Sequence, residues 1–330
     1  MKLLWAAAAA SVAFAGSAWA QSGPSFDCAK ASTVIERAIC KSPELAKADR
    51  DMAAVYAALV GKLSGAARDH LVKDQVRWIG NRGPACSDGP LETPHCLKTR
   101  YADRIAFLRA LDGPGTYPFV SEHDLVKNGR VRTTRYLIDT SYPQFDGGTA
   151  DFTATNRRFA DDAQKGADEA IPPADDTADS GQTWSYGQGF ALCRPSADAV
   201  AVETRLYSYT GGAHGNGGTF ASLVDLRSGR IVPPSAVFKP GDEWLRTVTA
   251  MVGADLKRQF VERPGFDDAL EPANLTKLMT DPDRWLFRAE GLQILFNPYD
   301  VGSYAGGPYT VDIPYDKIRS LFRADGPIGS

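Results

Sequence analysis

Groups that do chemistry are scarce in this chain of 330 residues. Only four histidines occur, His70, His95, His123 and His214, and no two are spaced as a helical metal pair. There is no G-x-S-x-G nucleophile elbow, no phosphate loop and no G-x-G-x-x-G dinucleotide fingerprint. These absences argue against the common metallohydrolase, serine hydrolase and nucleotide-dependent chemistries, so no metal and no cofactor are expected. Long apolar runs are missing after the first residues, which leaves nothing to span a bilayer. Internal repeats and low-complexity tracts are absent as well.

What is present begins with a leader. Lys2 supplies a minimal positive region, Leu3 to Gly16 is apolar and alanine-rich, and Ala18-Trp19-Ala20 is a small-x-small cleavage site. Residues 1–20 therefore read as a signal peptide cleaved after Ala20, with a periplasmic or secreted mature chain. Gln21 follows the cleavage site and Cys28 sits in a polar setting, which argues against a lipid anchor.

Charge divides the mature chain into two parts. Residues 21–112 carry 14 Lys and Arg against 11 Asp and Glu, whereas residues 113–330 carry 22 against 29. Much of the acidic excess lies between Arg158 and Ser180, and includes Asp161 and Asp162. The sign changes at Asp112-Gly113-Pro114-Gly115, a helix-stopping tetrapeptide, so residues 113–130 are read as a linker.

The first part reads as a small helical bundle. Ser42-Pro43-Glu44-Leu45 places a hydroxyl cap before proline at the first helical position. Leu45, Met52, Val55, Leu59 and Leu63 then recur at helical spacing. Leu71, Gln75, Trp78, Ile79 and Arg82 mark a second helix ending at Gly83-Pro84, and a third runs from Leu97 to Leu111. A shorter helix, Ser32 to Ile39, leads them. Four of the five cysteines, Cys28, Cys40, Cys86 and Cys96, fall in this part and read as disulfides of an exported module. Their spacings lack the C-x2-C knuckles of zinc sites. If Cys28 and Cys40 lie at opposite ends of one helix, they are up to about 18 Å apart. A bond needs about 7 Å, so each is expected to pair with Cys86 or Cys96. Cys193 is left as a buried free thiol.

Asp27-Cys28-Ala29-Lys30-Ala31, Glu36-Arg37-Ala38-Ile39-Cys40, Pro43-Glu44-Leu45 with Asp49 and Tyr56, Gln75-Val76-Arg77-Trp78 with Arg82 and Cys86, and Cys96 with Tyr101 and Arg104-Ile105 resemble the N-terminal domain of the LprI-type lysozyme inhibitors over about 27–111. The resemblance implies lysozyme binding and inhibition.

The second part, residues 131–330, changes period. Val131 to Ile138, Asp198 to Tyr209 and Phe220 to Leu226 are rich in β-branched or alternating apolar residues and read as strands. Asp151 to Glu169 and Trp244 to Phe260 show helical spacing. A hairpin joins Trp285–Arg288 to Leu292–Phe296, and Tyr309 to Ile313 is placed as the last strand. The expected architecture is two domains, a disulfide-stapled all-α bundle and an α+β domain with a largely antiparallel sheet.

Tyr207-x-Tyr209-Thr210-Gly211-Gly212-Ala213-His214-Gly215-Asn216, Leu226-x-x-Gly229, and Phe296-x-Pro298-Tyr299-x-Val301 with Tyr304-x-x-Gly307 resemble the RsiV-type domain, DUF3298. Ile138-x-x-Ser141-Tyr142-Pro143 and Asn156 resemble the PdaC-type segment that precedes it, giving a combined span of about 132–322. RsiV-type domains are extracellular and bind lysozyme to trigger signalling. This chain shows no transmembrane helix and no sigma-binding part, so signalling does not carry over. The separate deacetylase domain of PdaC-type enzymes is not found.

Candidate partner-binding residues follow from loop chemistry and charge. Ser303 and Tyr304 lie in the glycine-framed loop Gly302 to Pro308, where an exposed tyrosine buries area against a partner. Tyr299 is read as a core or turn residue. Tyr209 and His214 flank a glycine turn, with His214 expected to close a local hydrogen bond. Asp161 and Asp162 belong to a solvated acidic face. Both resemblances imply lysozyme, and an acidic face favours the basic C-type. The chain is thus expected to be a lysozyme-binding inhibitor that occludes the glycan cleft, and no enzyme. The alternatives are a module binding peptidoglycan or another envelope protein, and a wall-modifying enzyme.

Overall fold

The computed structural model describes residues 23–63, 65–87, 93–111, 119–174 and 182–329. The leader with its cleavage site and the Asp112–Gly115 break lie outside these residues.

Four helices open the fold: α1 (Val34–Lys41), α2 (Pro43–Lys62), α3 (Gly65–Ser87) and α4 (Thr93–Leu111). Thr33 and Glu36 form a reciprocal capping box at α1, and Ser42 Oγ accepts from Leu45 N at 3.3 Å with Pro43 in the first turn of α2. Ile39, Leu45, Leu71, Trp78, Leu97, Tyr101 and Leu108 are buried between them. α3 runs on through Gly83 and Pro84, where the sequence suggests a stop. Arg82 and Cys86, both buried, hold its last turns in the core.

The expected cross-bundle disulfides are not what forms. Cys28 joins Cys40 at a Cα separation of 5.9 Å, and Cys86 joins Cys96 at 5.6 Å. The leading helix does not extend back to Cys28. Asp27 caps a separate 3-10 turn, Cys28–Lys30, and the chain is extended at Ala31 and Thr33 before α1 begins. The reversal carries Cys28 back to the end of α1. Cys86 and Cys96 face each other across the short α3–α4 connection. Each bond closes a local loop, worth about 3 kcal/mol in the chain-entropy account.

The rest is α+β. A six-stranded sheet runs β1 (Phe119–Val131), β2 (Thr134–Asp146), β3 (Thr183–Cys193), β4 (Ala199–Tyr209), β5 (Asn216–Asp225) and β6 (Arg230–Val232) in sequence order. All neighbours are antiparallel except β2 and β3, which are parallel and joined through α5 (Thr153–Glu169). Residues 119–130, read from sequence as linker, belong to β1. The C-terminal layer adds α6 (Glu243–Gln259), α7 (Pro272–Met279), an antiparallel sheet of β7 (Trp285–Phe287), β8 (Gly291–Phe296) and β9 (Tyr309–Pro314), and α8 (Tyr315–Ile318).

Strand β4 separates two cores. Ala199 and Ala201 join Val248, Val252, Leu286 and Ile294 of the C-terminal layer, whereas Val200 and Val202 join a cluster shared with Phe152, Phe159, Phe145 and the helical bundle. The strand's period of two puts these residues on opposite sides. Gly229, at φ 70°, sits against Asp151, and a Cβ there would lie 2.4 Å from the Asp151 carbonyl oxygen. This close approach seats the start of α5, whose Thr155 Oγ1 donates to Gly229 O at 2.7 Å.

A buried ion network ties the helices to the sheet. The Arg104 guanidinium, 1% exposed as a residue, donates to Asp74 at 2.6 Å, to Gln75 at 2.9 and 3.1 Å, and to Glu122 of β1 at 2.9 Å. Asp74 in turn accepts from the Glu122 backbone N–H at 2.8 Å. Asn81 donates to Asp124 at 2.7 Å, and Arg100 pairs with Asp139. Burial, with Asp124 and Asp74 nearby, pushes the Glu122 carboxyl up to about 7 against the opposing pull of Arg104.

Two outcomes are expected. Arg104→Ala strands buried Asp74 and Glu122 and lowers unfolding free energy by about 3–5 kcal/mol in urea titrations. The second concerns pH. The folded chain keeps a Glu122 proton that the unfolded chain has released between the ordinary value of 4.5 and about 7. The group's stabilisation is full below that window and lost as pH rises through it. Wild type should lose more stability than Glu122→Gln between about pH 5 and 7.5, and equal losses would refute this.

Candidate functional site

The loop after β8 is held from below. Asn297 accepts from Thr219 N at 2.7 Å and donates to Thr219 O at 3.2 Å, pairing with β5 where no neighbouring strand covers that edge. Asp300 accepts from Asn297 N at 2.5 Å and from the Arg284 fork at 2.5 and 3.1 Å. This clamp fixes a turn in which Tyr299 adopts φ 74° and stands 55% exposed. A non-glycine residue in the left-handed region is strained, and the clamp overdetermines it.

Ser303 caps the next 3-10 turn, Tyr304–Gly306, accepting from Gly306 N at 3.3 Å. Arg263 donates to Gly306 O and Pro308 O, each at 3.0 Å, and lies 4.1 Å from the Tyr309 ring centroid. Tyr304 then stacks on His214 of the β4–β5 turn, with centroids 3.8 Å apart and planes within 18°. The Tyr299 ring is 5.8 Å from that of Tyr304. His214 makes the expected local contact, Nδ1 to Gly215 O at 2.9 Å, and Tyr209 Oη donates to Gly212 O at 3.0 Å across the same turn. Segments about 90 residues apart in the chain thus form one patch in which His214, Tyr299 and Ser303 are exposed, while Tyr304, expected to be exposed, is half-buried.

The structure brings His214, Ser303 and Tyr304 together, with Tyr209 supporting the turn. Asp161 and Asp162 lie elsewhere, on the exposed face of α5, where Asp162 pairs with Arg158 at 2.5 Å. Arg158 lines a cleft of about 580 Å³ whose far wall is Ala221 to Leu223 of β5. Residue 222 is about 20 Å along that strand from its start beside His214. The acids therefore make no contact with the patch.

Of the LprI-like motif residues, Ile39, Leu45, Asp49, Gln75, Trp78, Arg82, Cys86, Cys96, Tyr101 and Arg104 are buried, whereas Asp27 to Lys30, Arg37, Pro43, Glu44 and Val76 are exposed. Tyr101 Oη donates to Asp49 at 2.7 Å and receives from Arg82, whose guanidinium also lies 5.2 Å from the Trp78 ring. Arg104 sits 5.6 Å from the same ring. These side chains build the module and offer no surface. What sequence reading missed is an outward stripe on α3: Val72, Val76 and Ile79 are 39, 66 and 45% exposed. Its signal was Val72, Val76 and Ile79 at steps of four and three, one residue out of phase with the inward Leu71, Gln75 and Trp78.

Among the described residues, no group of three or more His, Cys, Asp or Glu is placed to hold a metal, and no helix is long and apolar enough to cross a membrane. Cys193 is free and half-buried, with Arg288 Nη1 3.8 Å from its sulfur, and burial raises its thiol pKa.

Residues 27–108 match the family described as Lysozyme inhibitor LprI. Residues 235–316 match DUF3298, a family of proteins of unknown function. The LprI match spans the helical module, and the DUF3298 match spans the C-terminal layer with Tyr299, Ser303 and Tyr304. His214 and Tyr209 precede it. No curated protein matches the chain. Similar solved structures include a DUF3298 family protein from Pseudomonas aeruginosa PAO1, at 15% identity and TM-score 0.42, covering 64% of this chain and 96% of that one. Another is a DUF3298 family member from Bacteroides fragilis NCTC 9343, at 14% identity and TM-score 0.45, covering 65% and 98%.

Asp300→Ala removes the acceptor shared by Asn297 N and Arg284. It should cost about 1–3 kcal/mol of stability by thermal or urea unfolding, and proteolysis should then cut first between residues 297 and 304.

Proposed function

We propose that this chain is an exported lysozyme-binding protein that inhibits by occluding the enzyme's glycan cleft, without chemistry of its own. Support comes from the match of residues 27–108 to a family described as lysozyme inhibitors. The two disulfides suit an oxidising compartment, periplasmic or extracellular, reached after cleavage behind Ala20. The observation that carries the contact surface is the Tyr304–His214 stack. Aromatic rings already fixed in place bury area at low entropic cost, which is how binding hot spots work.

Charge adds direction. The part from residue 113 onward holds 29 acids against 22 bases, complementary to the basic C-type lysozymes. Asp161 and Asp162 contribute to that field from α5. Steering of this kind speeds encounter and is screened by salt.

Inhibition of hen-type and goose-type lysozymes by the mature protein tests the reading. The hen-type enzyme should be bound more tightly, and raising salt from about 50 to 500 mM should weaken binding through association rate. Tyr304→Ala should weaken it at least about tenfold, the scale of a hot-spot residue, while Val76→Glu on the α3 stripe should not. The reverse pattern would move the contact to the helical module, and no inhibition by wild type would defeat the proposal.

A further inference from the structure

The middle of the large sheet holds glycines that its fold does not require. Gly187 and Gly189 lie in β3; Gly187 is paired on both sides, and Gly189, one residue past the end of the β2 pairing at Gln188, is paired with β4. Neither has positive φ, and both sit in regular ladder. A Cβ at Gly189 would meet nothing within 4 Å, and one at Gly187 only the Asp139 carbonyl oxygen at 4.0 Å. Glycine inside a strand costs up to about 1 kcal/mol against a residue with a side chain. Where neither turn nor crowding explains it, a flat floor for something approaching the backbone does.

That floor underlies a groove of about 470 Å³ between α4 and strands β3 and β4, within the usual range of small-molecule sites. Opposite the glycines on β4 stand Arg205 and Tyr207, both exposed, with Tyr207 at 49%. On the α4 side are Arg100 and Asp103. Arg100 is committed to Asp139 through Nη2, and its Nε is buried without a hydrogen-bond partner. Asp103 is exposed on the rim near Arg100 and Arg205.

We propose that this groove binds an uncharged sugar, one ring lying on the Gly187–Gly189 floor against Tyr207 with its hydroxyls at Asp103 and Arg100. An apolar chain would leave the lining charges desolvated and unpaired. An anion would meet Asp103, Asp139 and Glu122 against arginines already engaged, Arg100 with Asp139 and Arg205 with Glu203 at 3.6 Å. An extended peptide finds no free edge along Thr183–Gln188, where β3 is paired with both β2 and β4. A sugar is neutral and offers C–H faces to an aromatic ring and hydroxyls that both donate and accept.

The proposal does not depend on lysozyme binding. The test is calorimetric titration of the mature protein with two neutral trisaccharides, tri-N-acetylchitotriose and maltotriose, with laurate and a short lysine-rich peptide as contrasts. At least one trisaccharide should bind with millimolar or tighter affinity. Gly189→Leu, whose side chain enters open space, should weaken binding at least tenfold at unchanged melting temperature, and Tyr207→Ala at least fivefold. Binding of neither trisaccharide, binding insensitive to both substitutions, or binding only of laurate or peptide would overturn it. Lysozyme inhibition by Gly189→Leu should equal wild type, which separates failure here from failure of the inhibitor reading.

Discussion

The buried guanidinium of Arg104 is the constraint on which the arrangement of the two parts depends. It reaches from α4 to two acceptors on α3 and to Glu122 on β1. A charge removed from water in this way is tolerable only when it is paired and hydrogen-bonded. Once Asp74 has also taken the Glu122 N–H, β1 can shift neither along α3 nor away from it without breaking several bonds together. Asn81 with Asp124 and Arg100 with Asp139 repeat the tie along the hairpin. The helical module is therefore continuous with the sheet through both charge and core. Its two disulfides, each local to one turn, strengthen the module and do not fasten it to anything else.

The same sheet then positions everything exposed. Because β4 buries valines on one side and alanines on the other, the C-terminal layer approaches the strand closely while α5 and the bundle cluster fill the opposite side. That approach brings Asn297 within reach of Thr219 and so sets the height of the Tyr299–Tyr304 loop above the His214 turn. The groove over Gly187 and Gly189 arises where β3 and β4 pass beneath α4. Both surfaces are consequences of layering, and neither belongs to one sequence segment.

Local signals were the legible ones. The Ser42-Pro43 helix start, the α5 and α6 periodicities and the β7–β8 hairpin could be read directly, because each depends on neighbours within a few residues. The polar run Ser121-Glu122-His123-Asp124 concealed β1, whose Glu122 and Asp124 accept from Arg104 and Asn81 on helices distant in sequence. Gly187 and Gly189 likewise concealed β3. The turn at Arg132 and Thr133 carries no glycine or asparagine, so two long strands read as one short one. The disulfide pairing failed for one specific reason: Cys28 was placed on a helix that begins six residues later. In the patch, Ser303, Tyr304 and His214 could be named from composition, but their stacking required the sheet order.

The buried residues of a family motif transmit a scaffold more directly than an activity. Asp49, Trp78, Arg82, Tyr101 and Arg104 interlock inside the bundle, where they select a packing and contact no partner. Any recognition must then rest on exposed side chains, and their usefulness depends on how firmly they are held. An exposed side chain frozen on binding costs about 0.5–1.5 kcal/mol. In the patch, part of that cost is met in the free protein, because Arg284 and Asp300 fix the Tyr299 turn and Arg263 fixes the chain after Tyr304. The α3 stripe has no such clamp, since Val72, Val76 and Ile79 project singly from a helix. On equal buried area, the aromatic patch is the surface better prepared to bind.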